Sequence, residues 1–111
     1  MFDQTRYEQL LQELLAEHPD IDGIFATSDI IGAFAIKECE RAGKKVPDDV
    51  KIVGYDDVTA ARWLTPELTS IRQPIDEFGK LAVELLSRQV EGEAVQIENT
   101  LPVELVVRGT A

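Results

Sequence analysis

The residues best equipped for chemistry in this chain fall into two small groups. Asp56 and Asp57 end the run Val53-Gly54-Tyr55-Asp56-Asp57, and Ser28 and Asp29 follow the apolar Ile24-Phe25-Ala26. One histidine, His18, and one cysteine, Cys39, add to them. Paired carboxylates suggest acid–base work, in which two groups share or exchange a proton. Adjacent residues of an extended chain point to opposite sides, so Asp56 and Asp57 are not expected to form such a dyad. Two readings stay open: a turn that aspartate favours for its own sake, or a ligand contact by one carboxylate with the other bracing the loop. Ser28 has no base at hand, because His18 falls in the turn at the far end of the intervening strand, and a serine nucleophile is not expected. Ser28-Asp29 also reads simply as a helix cap with an acid at the positive end of the dipole. One histidine and one cysteine do not make a metal site, Cys39 reads as core, and no glycine-rich phosphate loop is present. No cofactor is expected.

The elements that must position these groups can be read from periodicity. Thr5-Arg6-Tyr7-Glu8 matches a capping box, and Tyr7, Leu10, Leu11, Leu14 and Leu15 form one apolar stripe of a helix that ends at His18-Pro19-Asp20. Residues 23–27 predict a short buried strand, and Ser28-Asp29 opens a second helix running to Ala42 and stopped by Gly43. Pro47-Asp48-Asp49 is a turn before a strand over 50–55. A short helical connection over 59–64 holds the only tryptophan, Trp63, and 69–73 is a third extended segment. Pro74 starts a helix whose wide face is Ile75, Phe78, Leu81, Ala82, Leu85, Leu86 and Val90; Gly92 ends it, and 101–108 is a last strand. Helix–strand alternation of this kind builds an α/β fold with an open, mostly parallel sheet flanked by helices. Ligands of such sheets bind outside the carboxyl ends of the strands, which is where Ser28 and Asp56 fall.

Composition narrows the function classes. The 111 residues allow one domain, 44% apolar and 29% charged, and no apolar run reaches the roughly 20 residues of a membrane span. The first residues carry no signal-peptide pattern, and a single cysteine fits a reducing compartment, so the cytoplasm is expected. The net charge is −10, from 11 basic and 21 acidic side chains. Phosphate neutralisation drives nucleic-acid binding, so this chain is not expected to bind DNA by itself.

Four segments, in order and at the right spacing, resemble the C-terminal part of the lactose-repressor (LacI/GalR) family of bacterial transcription regulators. They are Gly23-Ile24-Phe25-Ala26-Thr27-Ser28-Asp29, then Val46-Pro47-Asp48-Asp49-Val50 leading into Val53-Gly54-Tyr55-Asp56-Asp57, then Thr65-Pro66-Glu67-Leu68-Thr69-Ser70-Ile71-Arg72-Gln73-Pro74, and finally 101–110. The resemblance implies one lobe of the periplasmic-binding-protein-like (type I) fold, incomplete. The C-terminal lobe would comprise about 1–72 and 101–111, and the crossover and helix at 73–92 would pack on an N-terminal lobe that this sequence lacks. Within the chain alone, that helix is expected to fold back onto the sheet or to swap with a second copy. The implied function is non-catalytic: binding of a small effector, a sugar or similar, within a homodimeric regulator whose DNA contacts belong to a helix-turn-helix domain outside these residues. By the same resemblance Asp56 is the effector contact. Ser28 stands where the family usually has asparagine, and Phe2 is the aromatic that would stack on the effector. Ala33, Lys37, Trp63 and Leu64 fall where the family dimerises. Three rivals remain: a phospho-accepting response-regulator receiver domain, a fragment of an exported sugar-binding protein, and a hydrolase. The first lacks an upstream acidic pair and has Gln73 where lysine is wanted; the last lacks a nucleophile with a base.

Overall fold

A computed structural model describes residues 3–111. Helix α1 (Gln4–Glu17) leads into strand β1 (Gly23–Phe25), helix α2 (Asp29–Arg41) and strand β2 (Lys51–Asp56). A 3-10 turn (Thr59–Trp63), strand β3 (Thr69–Arg72), helix α3 (Ile75–Val90) and strand β4 (Glu104–Val106) follow. The sheet order is β1-β2-β3-β4, with β1, β2 and β3 parallel. Phe25 pairs with Val53 and Asp56 with Arg72, which fixes the register. Parallel neighbours need a crossover between them. Here α2 supplies one, and the segment containing the 3-10 turn supplies the other.

Local chemistry explains the element ends. Helix α1 starts earlier than the capping-box reading placed it. Asp3, not Thr5, is the N-cap, its Oδ1 accepting from the Arg6 N–H at 3.2 Å. An aspartate two residues upstream satisfies the first-turn N–H groups equally well, so the helix extends to it. Gly43 (φ +78°) and Gly92 (φ +87°) follow the ends of α2 and α3 in the left-handed region, where a side chain would be strained.

Two compact units divide the chain: residues up to Arg72 with Leu105–Ala111, and Gln73–Glu104. The core of the first is Leu11, Leu15, Ala35, Ile36, Cys39, Val50, Ile52, Ala61 and Leu68, all buried. Burial of each large member contributes about 1.5–3 kcal/mol. Strand β2 alternates, with Ile52 and Gly54 buried toward α2, as a half-covered strand should. The β1 segment is not the buried strand expected. It lies at the sheet edge, and Phe25 is 60% exposed because no described element of this unit covers that face. Leu10, placed in the apolar stripe of α1, is 40% exposed while Leu11 and Leu15 are buried.

The chain end is stitched into the sheet. Thr110 is fully buried, and its Oγ1 donates to the Ile52 carbonyl (2.6 Å) and accepts from the Thr69 N–H (2.9 Å). The Ile52 N–H in turn donates to the Thr110 carbonyl at 2.8 Å. One residue thus joins the amino-terminal ends of β2 and β3. In the second unit, α3 has no buried residue, and Ile75, Val83, Leu86 and Val90 are 62–80% exposed. On the face that the periodicity marks out, Phe78, Leu81 and Leu85 are half-buried, while Ile75, Ala82, Leu86 and Val90 are exposed.

Candidate functional site

At the carboxyl edge of the sheet, Asp56 ends β2 and pairs with Arg72 at the end of β3, and Ser28 follows β1 by three residues as the N-cap of α2. Ser28 is half-buried, and its Oγ accepts from the Ile31 N–H at 3.3 Å as the N-cap of α2. Capping uses hydroxyl acceptor capacity and leaves its O–H able to donate. Asp56 is half-buried at the end of β2.

The turn that carries Asp56 is tightly held. Asp56 and Asp57 have φ of +110° and +56°, the only positive values at non-glycine residues among those described. Such conformations cost on the order of 1–3 kcal/mol each and persist only where the surroundings impose them. The chain is therefore not extended here, contrary to the premise of the sequence reading. What separates the two carboxylates chemically is their partners. The Asp57 side chain is 2% exposed and receives Arg72 Nε at 2.7 Å and Arg108 NH2 at 2.6 Å. Burial pushes the Asp57 carboxyl up, but hydrogen bonds from Arg72 and Arg108, and their charges, outweigh it and hold it below the usual aspartate range. Arg108 is itself nearly buried and donates through NH1 to the Leu68 carbonyl at 2.7 Å.

A second anchor lies beneath the turn. Asp29, 3% exposed, accepts the Ser70 hydroxyl at Oδ1 and the Val58 N–H at Oδ2 (2.7 Å). Ser70, fully buried, accepts the Asp57 N–H at 3.1 Å. Gly54 makes room for this carboxylate: a Cβ at that position would lie 2.4 Å from Asp29 Oδ1 and 2.9 Å from Leu68 Cδ2. Ser70, Arg72 and Arg108 were not singled out as site residues from the sequence, and Asp29 was read only as the acid of a helix cap. Their signal was present but mute, because a helix-cap acid and two arginines 36 positions apart become partners only once β3 and the chain end lie beside β2.

The residues expected at a dimer contact are partly gathered. Ala33 and Leu64 line a cleft of about 130 Å³ between α2 and the 3-10 turn, with Asp29, Ile30, Phe34, Val58, Ala60 and Ala61. Around it Ile30 (53%), Val58 (42%) and Trp63 (75%) are exposed, an apolar patch that a monomer would leave to water. Lys37 is not part of the cleft lining; it reaches Glu8 of α1 at 3.5 Å. Phe2 lies outside the described residues. Among the described residues no cluster of three His, Cys, Asp or Glu could hold a metal ion, and no helix is long and apolar enough to cross a membrane.

Comparison with known proteins places this architecture. The family model of the periplasmic binding protein-like domain matches residues 2–111. The ribose operon repressor of Halalkalibacterium halodurans is 40% identical over 93% of this chain, and the regulator CelR of Thermobifida fusca 38% over 88%. The chain spans 31% and 29% of those two proteins, about a third of their length. A lactose operon repressor sequence from Rhizobium radiobacter is 32% identical over 97% of this chain and 95% of its own length. Among solved structures, a CelR–cellobiose complex superposes with a TM-score of 0.90 at 35% identity, over 99% of this chain and 34% of that one. Fold, motifs and similarity agree: the chain belongs to the periplasmic-binding-protein-like domain family, as a portion of the effector-binding core of a LacI/GalR-type protein.

Proposed function

We propose that this chain is the effector-binding and dimerising portion of a cytoplasmic, sugar-responsive transcription regulator and performs no catalysis. The observation that carries the reading is the Asp56–Arg72 pair at the carboxyl ends of β2 and β3, with Ser28 opening α2 after β1, in a fold similar to that of a cellobiose-bound regulator. Asp56 accepts hydrogen bonds from neighbouring hydroxyls of the sugar; charge-assisted bonds of this kind are worth about 1.5–3 kcal/mol each. Ser28 adds a donor. Asp57 braces the turn and is spent on its two arginines. The chain supplies one wall of the pocket; residues 73–92 cross to a companion lobe, on which the open face of α3 packs. Ligand-driven closure of the two lobes shifts the intact dimer between DNA-binding states, and DNA is held by a helix-turn-helix domain of the intact regulator. The apolar patch at Ile30, Val58, Trp63 and Leu64 is the dimer contact, with Ala33 lining its cleft.

With part of the pocket present, affinity is weak, in the millimolar range that about −4 kcal/mol represents. Titration of the chain with cellobiose and with D-ribose tests the reading. Binding by either that falls at least tenfold in Asp56→Ala supports it. Unchanged binding in the variant, or none by either sugar up to 100-fold above that range, removes it.

A further inference from the structure

The effector-facing turn and the apolar patch sit at opposite ends of a single buried carboxylate. Asp29 Oδ2 takes the Val58 N–H at 2.7 Å, and Val58 begins the connection that carries Trp63. Asp29 Oδ1 takes the Ser70 hydroxyl, whose oxygen takes the Asp57 N–H at 3.1 Å, one residue from Asp56. Asp29 also lines the cleft beside Ile30 and Leu64. Gly54 is the only residue type that leaves its carboxylate in place, since a Cβ would fall 2.4 Å from Oδ1.

We propose that Asp29, working through Ser70, is a positioning residue that sets the Asp56 carboxylate for the sugar and the Val58–Trp63 segment for the partner subunit at once. The inference rests on the sugar-binding and dimer readings above. The chemistry requires a carboxylate. Both oxygens face donors, the Val58 amide and the Ser70 hydroxyl, and a carboxylate accepts at both. Asparagine matches the shape but turns an N–H₂ toward one of them. If the amide oxygen faces Val58, the N–H₂ donates to Ser70 Oγ, which keeps a lone pair for the Asp57 N–H, and only the Ser70 hydroxyl hydrogen loses its acceptor. If the oxygen faces Ser70, the Val58 amide faces a donor. Alanine removes both acceptors and so releases both branches.

A residue that served stability alone would leave the folded fraction fully competent in both respects. The test therefore measures sugar affinity and self-association on folded protein, with heat or urea melting run alongside. Cellobiose and D-ribose are the sugars, and sedimentation velocity reads association. Asp29→Ala, which removes both acceptors, is expected to weaken sugar binding and dimer formation together, each by about tenfold. Ser70→Ala is expected to weaken sugar binding more than association, since only the Asp57 branch runs through it. Ser70→Thr, which keeps the hydroxyl, restores sugar binding relative to Ser70→Ala. Asp56→Ala serves as the reference that loses sugar binding only, and Trp63→Ser as the reference that loses association only. Folded Asp29→Ala that binds sugar and associates as wild type overturns the proposal, as does an Asp29→Ala effect confined to one property. Should Asp56→Ala or Trp63→Ser leave its own property unchanged, the underlying sugar or dimer reading fails, a result separable from a failure at Asp29.

Discussion

Replacing Arg108 by methionine probes the brace behind the Asp56–Asp57 turn. The substitution keeps the aliphatic stem and removes two interactions. One is the contact of NH2 with Asp57 at 2.6 Å, and the other is the NH1 hydrogen bond to the Leu68 carbonyl at 2.7 Å. The Asp57 side chain is 2% exposed and that of Arg108 9%, so the pair is sheltered from water. Breaking a buried pair from one side costs about 3–5 kcal/mol. Arg72 still reaches Asp57 at 2.7 Å, which holds the expected loss near the lower end, about 3 kcal/mol. The loss should depend on pH with a definite sign. The Asp57 carboxyl sits below its ordinary value of 3.8 in the folded chain, so its stabilisation is complete above that value. It fades as pH falls through the lower folded value, where Asp57 takes up a proton and the pair no longer exists. Urea unfolding at pH 7 and again near pH 2.5, by far-UV circular dichroism with the slope checked for constancy, measures the difference. About 3 kcal/mol at pH 7 shrinking toward the value of the Leu68 bond alone, about 1 kcal/mol, is expected. A loss below 1 kcal/mol at pH 7, or an equal loss at both pH values, would refute the reasoning.

Three further substitutions test separate parts of the account. Gly54→Ala places a methyl against Asp29 Oδ1 and Leu68, and overpacking of this kind costs about 1–3 kcal/mol; a melting temperature within 2 °C of wild type would contradict the close approach. Thr110→Val leaves the Ile52 carbonyl and the Thr69 N–H without the hydroxyl that joins them, so thermal unfolding should show a loss of about 2–4 kcal/mol; a neutral result would mean the chain end is not part of the cooperative unit. Trp63→Ser should weaken self-association by tenfold or more in sedimentation while leaving the melting temperature of the subunit nearly unchanged, since the indole is 75% exposed; association as tight as wild type would place the contact elsewhere.

Much of the fold was legible because its signals are local. The 3.6-residue spacing of Leu11 and Leu15, the Ser28 cap, Gly43 after α2 and the apolar strand through Ile52 each specify their own element. Two misreadings share a cause. Phe25 and Leu10 are apolar residues in apolar runs, and which side a neighbour covers depends on sheet order and helix rotation, not on the run itself. The site was half legible. Asp56 and Ser28 are placed by the rule that parallel sheets bind at their carboxyl edge. The network that holds them is not local, since Asp29, Ser70 and Arg108 are brought together by parallel pairing of β2 with β3 and by the returning chain end. A lone acid after a serine looks like an ordinary cap, and only its burial at 3% reveals a second task.

Mapping the sugar on the protein by NMR tests the central claim most directly. Amide shifts of the ¹⁵N-labelled chain are followed as cellobiose or D-ribose is added. The account predicts saturable changes centred on Asp56 and Arg72 at the carboxyl ends of β2 and β3 and on Ser28 just beyond β1. Changes centred instead at the opposite end of α2, around Glu38 and Arg41 where a cavity of about 470 Å³ opens, would contradict it.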